Sequence, residues 1–85
     1  MHIEATHTFV KLYKKLPAEV KEQTKKAIEL LQSNPTHPSL GHKKMVGYDN
    51  VYEVRVSLQY RLTYEKIGEA AYLRKVGTHD LLKNP

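Results

Sequence analysis

Midway along this chain the spacing of apolar residues changes from a helical to a strand period, and few folds accommodate that order. Phe9, Leu12, Tyr13 and Leu16 fall at i, i+3, i+4 and i+7, and Val20, Thr24, Ala27, Ile28 and Leu31 form a second stripe of the same kind. From Val51 onward the pattern alternates instead. Tyr52, Val54, Val56 and Leu58 are expected to point one way, and Val51, Glu53, Arg55 and Ser57 the other. Tyr60, Leu62 and Tyr64 continue the apolar set on a second strand, with Arg61, Thr63 and Glu65 opposite, and a third strand from Ala70 to Val76 follows a turn at Gly68. Strands this short, amphipathic and closely spaced form an antiparallel meander with one face against the helices.

Local signals place the boundaries. His2 to Ala5 reads as a short first strand, and Thr6 or Thr8 can cap the helix that follows. Pro17 ends that helix and suits the first turn of another, in which Glu22 and Lys26 stand one turn apart in the favourable order. Asn34-Pro35 stops the second helix, and the prolines and small polar residues of Ser33 to Ser39 exclude a helix there. The expected fold is α+β: an N-terminal strand and helical hairpin packed on an antiparallel β-sheet. With 85 residues, the whole span 1–85 is one domain around one core.

The chain has no cysteine, so neither disulfides nor thiolate metal sites contribute. No apolar stretch approaches the roughly 18 residues that span a bilayer, and Met1-His2-Ile3-Glu4 does not open a signal peptide. The expectation is a cytoplasmic protein with no membrane partner. Fourteen Lys and Arg against nine Asp and Glu give a net charge of +5, which favours an anionic partner. Solvated helix surface is the alternative reading of the lysine excess.

Chemistry concentrates on the sheet face turned from the helices, where Glu53, Arg55 and Arg61 fall on adjacent strands. Two guanidinium groups there suit a phosphodiester, because Arg makes planar bidentate contacts and keeps its charge. A cross-strand ion pair between Glu53 and an Arg is the plainer possibility, contributing about 0.2 to 1 kcal/mol. His79 follows Gly77-Thr78 at the end of the last strand, and an imidazole exchanges protons near neutral pH. Metal-free RNA cleavage needs a base for the 2′-hydroxyl, cations for the charge growing on phosphorus, and an acid for the departing 5′-oxygen. Arg55, Arg61 and His79, with Glu53 as a possible base, make up that set. A surface histidine without chemistry is the competing reading of His79.

The basic run His42-Lys43-Lys44 precedes the strands, and Lys43 and Lys44 are candidate RNA-phosphate contacts, with a solvated loop as the alternative. Tyr48, beside Gly47, is either a turn residue or a base-stacking one. His2, His7, His37 and His42 lack the helical pairing of a metal site, so neither metal nor cofactor is expected.

Lys44-Met45-Val46-Gly47 leading into Val51-Tyr52-Glu53-Val54-Arg55-Val56, then Gln59-Tyr60-Arg61-Leu62-Thr63-Tyr64 and Val76-Gly77-Thr78-His79-Asp80, resembles the RelE/ParE toxin superfamily over nearly the whole chain. The Gly-Thr-His ending is most similar to its YafQ branch. The resemblance implies a RelE-like fold and the toxin of a type II toxin–antitoxin system. It implies an mRNA endoribonuclease, acting on the ribosome, that inhibits translation and is held inactive by a cognate acidic antitoxin. Operator DNA would be met only through that antitoxin. The resemblance gives Arg61 the scissile phosphate, Arg55 a basic position on the preceding strand, and His79 the catalytic imidazole. Glu53 stands where relatives carry Lys or His, and Asp80-Leu81-Leu82 replaces a frequent terminal aromatic residue, which leaves Glu53 and Lys44 as candidates for the base. Two other readings accompany the family: a ParE-like gyrase inhibitor without catalysis, and a degenerate toxin that only binds its antitoxin.

Overall fold

A computed structural model describes residues Met1–Pro85. The elements run β1 (His2–Ala5), α1 (His7–Lys14), α2 (Ala18–Ser33), a 3-10 turn at Pro38–Leu40, β2 (Lys43–Lys44), β3 (Val51–Arg55), β4 (Tyr60–Ile67), β5 (Ala70–Thr78) and a C-terminal 3-10 turn at His79–Lys83. The strands form one sheet in the order β1-β5-β4-β3-β2. Four of them are antiparallel as expected, whereas β1 joins β5 in parallel, with Ile3 opposite Ala71 and Ala5 opposite Leu73. The sheet is therefore mixed. The two helices between β1 and the meander supply the crossover that a parallel pair requires. No helix is long and apolar enough to cross a membrane.

Thr6 rather than Thr8 caps α1. Its hydroxyl oxygen accepts the Phe9 amide at 3.2 Å and donates to the Leu73 carbonyl at 2.7 Å, so one side chain fixes both the helix start and its seat on β5. Pro17 sits at the N-cap of α2, one residue before the first turn. Glu22 pairs with Lys25 at 3.6 Å and not with Lys26. In the linker Pro35–Thr36 make a turn closed by the His37 amide on the Asn34 carbonyl, and Pro38–Leu40 a 3-10 turn that buries Leu40.

The core joins Phe9, Ala27, Leu31, Leu40, Val54, Leu62, Tyr64, Ala71, Leu73 and Val76, and the two periodicities select Phe9, Ala27, Leu31, Val54, Leu62 and Tyr64 among them. Two corrections concern the strands. The first does not continue to Leu58: it ends at Arg55, and Ser57–Gln59 reverse the chain so that Arg55 lies opposite Arg61. Leu58 is therefore 83 % exposed instead of extending the apolar face. The last strand runs on to Thr78, past the expected end at Val76. Val51 and Thr63, assigned to the polar face, are both buried. For Thr63 the cause is the C-terminal segment, which crosses that face and receives the Thr63 hydroxyl proton on the Pro85 carbonyl at 3.1 Å.

Tyr64 closes the inner layer beneath the loop before β2. Its ring stacks on Tyr52 with centroids 5.3 Å apart, and its hydroxyl meets Nε2 of His42. Nδ1 of His42 lies 3.0 Å from the Pro35 carbonyl, which can only accept, so Nδ1 carries the proton and Nε2 accepts from Tyr64. Burial first, and then the neighbouring Tyr52, push the Tyr64 phenol up from 10.0 to about 12. Between these values the folded chain keeps a proton that the unfolded chain releases. Stability accordingly falls by about 1.4 kcal/mol per pH unit across that window. Urea titrations from pH 9 to 12 should show this slope in the difference between the wild type and Tyr64→Phe, and equal slopes would show that Tyr64 ionises freely.

Candidate functional site

The register across β3, β4 and β5 builds the site. Arg55 lies opposite Arg61, and Arg61 opposite Gly77, so three adjacent strands contribute one row. Two positions along, Lys43, Glu53, Thr63 and Lys75 make the next row on the same face. His79 follows β5 at the end where the first row lies.

Arg61 is the best-anchored of these side chains. Its Nη1 donates toward the carbonyls of Ser57 at 2.7 Å, Tyr60 at 3.0 Å and Leu58 at 3.2 Å, which pins the β3–β4 turn from inside. Its Nε faces Oε2 of Glu53 at 3.7 Å, and each of the two side chains is only 12 % exposed. Nη2 has no acceptor within the protein. Arg55, by contrast, is exposed and has no carboxylate partner; its Cβ and guanidinium lie over Gly41. Glu53 and Arg61 thus come together, and Arg55 shares their row pattern without joining the pair.

His79 is exposed, and its amide donates to the Gln59 carbonyl at 2.9 Å, so the β3–β4 turn holds the start of the C-terminal 3-10 turn. Gly77 makes room for that turn, since a Cβ there would stand 3.4 Å from Cδ2 of Leu81. Lys43 and Lys44 are exposed on the edge strand, Lys43 opposite Glu53 and Lys44 opposite Tyr52. Tyr48 is 39 % exposed in the β2–β3 loop, at the opposite end of β3 from Arg55. No group of three or more His, Asp or Glu side chains is placed to hold a metal ion.

Two contributors carry no signal in the sequence. Ser57-Leu58-Gln59 lacks the Gly, Pro, Asn or Asp of a common turn, yet its carbonyls organise Arg61 and His79. Gly41 reads as loop filler, but it takes a left-handed φ of +50° and leaves the surface over which Arg55 lies.

No protein-family model matches the chain. It is 36 % identical over 78 residues to Toxin RelE3 of Methanocaldococcus jannaschii, which covers 89 % of this chain and 88 % of that one. This chain belongs to the RelE/ParE toxin superfamily. Among solved structures, this RelE-like chain is similar to one in the RelB-RelE antitoxin-toxin complex from Methanococcus jannaschii, at TM-score 0.78 and 28 % identity over 95 % of each chain. It is also similar to one in the intact E. coli RelBE toxin-antitoxin complex, at TM-score 0.73 and 26 % identity, covering 91 % of this chain and 94 % of the other. YafQ from E. coli, at TM-score 0.76 and 20 % identity over 94 % of each chain, shares the fold.

Gly41 offers a direct test of how this RelE-like chain seats Arg55. Gly41→Ala is expected to cost about 1 to 2 kcal/mol in urea unfolding from backbone strain alone, since its Cβ meets Arg55 at ordinary contact distance. Gly41→Val, β-branched at a positive φ and bulkier against the guanidinium, should cost more than Gly41→Ala. Equal unfolding free energies for both variants would show that the Arg55 side chain leaves room above Gly41.

Proposed function

We propose that this protein is the toxin of a type II toxin–antitoxin system and acts as a metal-independent endoribonuclease on mRNA, on the ribosome, inhibiting translation. The observation that carries the reading is the row Arg55–Arg61 with His79 tied to the same turn, a pair of guanidinium groups and an imidazole at one end of one sheet face.

The chemistry follows from what each group offers. Arg55, exposed, and Arg61 beside it supply N–H donors to the non-bridging oxygens of a scissile phosphate. As the 2′-oxygen attacks phosphorus, negative charge accumulates on those oxygens, where fixed guanidinium groups stabilise it most. His79 gives a proton to the departing 5′-oxygen, which leaves a 2′,3′-cyclic phosphate and a 5′-hydroxyl. Lys43 extends the cationic surface on the same face and holds a flanking phosphate, whereas Lys44, opposite Tyr52, turns to the other face. The 2′-hydroxyl proton leaves to solvent water, because Lys44 lies on the helical face of the sheet with Tyr52 and away from the Arg55–Arg61 row.

Inducible expression followed by mapping of mRNA 5′ ends tests this. The wild type should generate new ends, and Arg61→Ala and His79→Ala should each reduce them by about a hundredfold or more. Absence of cleavage by the wild type, or undiminished cleavage by both variants, overturns the ribonuclease reading. Growth arrest with intact mRNA and lost supercoiling would point to gyrase instead.

The partner is a cognate acidic antitoxin, in keeping with the RelB complexes of the similar chains. On the helical layer an apolar groove of about 310 Å³ is lined chiefly by Ile3, Phe9, Val10, Tyr13, Ile28 and Leu73, beside the unpaired edge of β1. Lys11, Lys14, Lys15 and Lys26 stand exposed on the same two helices without carboxylate partners. An amphipathic antitoxin segment with acidic flanks matches both features. Val10→Asp, at a position already 37 % exposed, should weaken antitoxin binding at least tenfold while cleavage persists. Unchanged affinity by titration calorimetry would place the antitoxin elsewhere.

A further inference from the structure

Glu53 is the one acidic side chain in the two rows around Arg61, and its surroundings are unlike those of a free base. Its carboxylate turns to Arg61 rather than to Lys43 directly opposite, and both partners are 12 % exposed. A guanidinium at that depth is costly to bury without a countercharge. The countercharge also has a directional effect. With Nε facing Glu53, the planar guanidinium presents Nη1 to Ser57, Leu58 and Tyr60, its two hydrogens shared among three carbonyls. The remaining carbonyl of that turn, Gln59, receives the amide of His79. An unbroken series of contacts therefore runs from Glu53 through Arg61 and the Ser57–Tyr60 turn to the backbone of His79.

We propose that Glu53 is a positioning residue for cleavage and not its base, a role that rests on the ribonuclease reading above. By orienting Arg61 it fixes the β3–β4 turn, the turn fixes the start of the C-terminal 3-10 turn, and His79 is thereby held beside the Arg55–Arg61 row. A carboxylate does this because it neutralises the guanidinium it faces.

The 85-residue chain tests this with Glu53→Gln, Glu53→Asp and Arg61→Lys, each checked for retained fold by circular dichroism. Amide hydrogen exchange reads the series of contacts directly. The amide of His79 is expected to exchange about tenfold faster in Glu53→Gln and in Arg61→Lys, with Glu53→Asp partly restoring protection. In cleavage, Glu53→Gln should lower kcat by about 3- to 10-fold with RNA affinity within about twofold and the shape of the pH profile kept. A fall of roughly a thousandfold with loss of the acidic limb, and unaltered exchange at His79, would make Glu53 the base and overturn the proposal. Unaltered exchange at His79 in both Glu53→Gln and Arg61→Lys overturns it equally. If the wild type cuts no RNA, the ribonuclease reading fails by itself, while the exchange data still decide whether Glu53 and Arg61 hold His79.

Discussion

The pairing of β4 with both its neighbours is the constraint on which everything else here rests. Because side chains alternate along a strand, the register that buries Leu62 and Tyr64 against the helices also turns Arg61 and Thr63 to the other face. A slip of one residue would expose the core and bury the guanidinium at once. The interior thus fixes the site geometrically, although no core residue takes part in its chemistry. The bulge between Thr63 and Tyr64 marks where β4 and β5 change step, and the ladder from Tyr60 to Thr63 on its far side carries the Arg61–Gly77 pair.

The outer face divides between two occupants. The C-terminal segment takes the β4–β5 side: Pro85 accepts from Thr63 and from Nε of Arg74 at 3.2 Å, and the Asn84 carbonyl accepts from Lys75 at 2.6 Å. The β3 side is left to Arg55, Lys43 and the partly covered Glu53–Arg61 pair. Cations near the tail are thereby satisfied internally, and those toward the edge strand remain available to an external anion. A uniform +5 surface would not make that distinction.

Much of this was legible in the sequence because it depends on period and punctuation. The two helical stripes, the alternation through Val54, Leu62 and Tyr64, and the first strand all appear in the structure, as does the juxtaposition of Glu53 and Arg61. What period does not encode was missed. Leu58 satisfies the alternation but sits at the tip of a reversal, since a turn held by an arginine rather than by glycine leaves no compositional mark. Thr63 and Val51 look polar-facing because alternation assumes that the outer face is wet. The ion pair was visible as a possibility, but only coordinates show that Arg61 turns its other nitrogen to three carbonyls.

The parallel contact of β1 with β5 sets an order of assembly. Residues 2–5 emerge long before their strand partner and cannot pair until residues 70–73 have been made, and Thr6 awaits Leu73 in the same way. Closing so long a loop is a slow step compared with forming the β3–β4–β5 meander. During synthesis the helical hairpin therefore waits with its apolar stripe uncovered, and the sheet face that holds Arg55, Arg61 and His79 is completed only as the last strand arrives. A growing chain of this topology has no assembled sheet face until β5 is made.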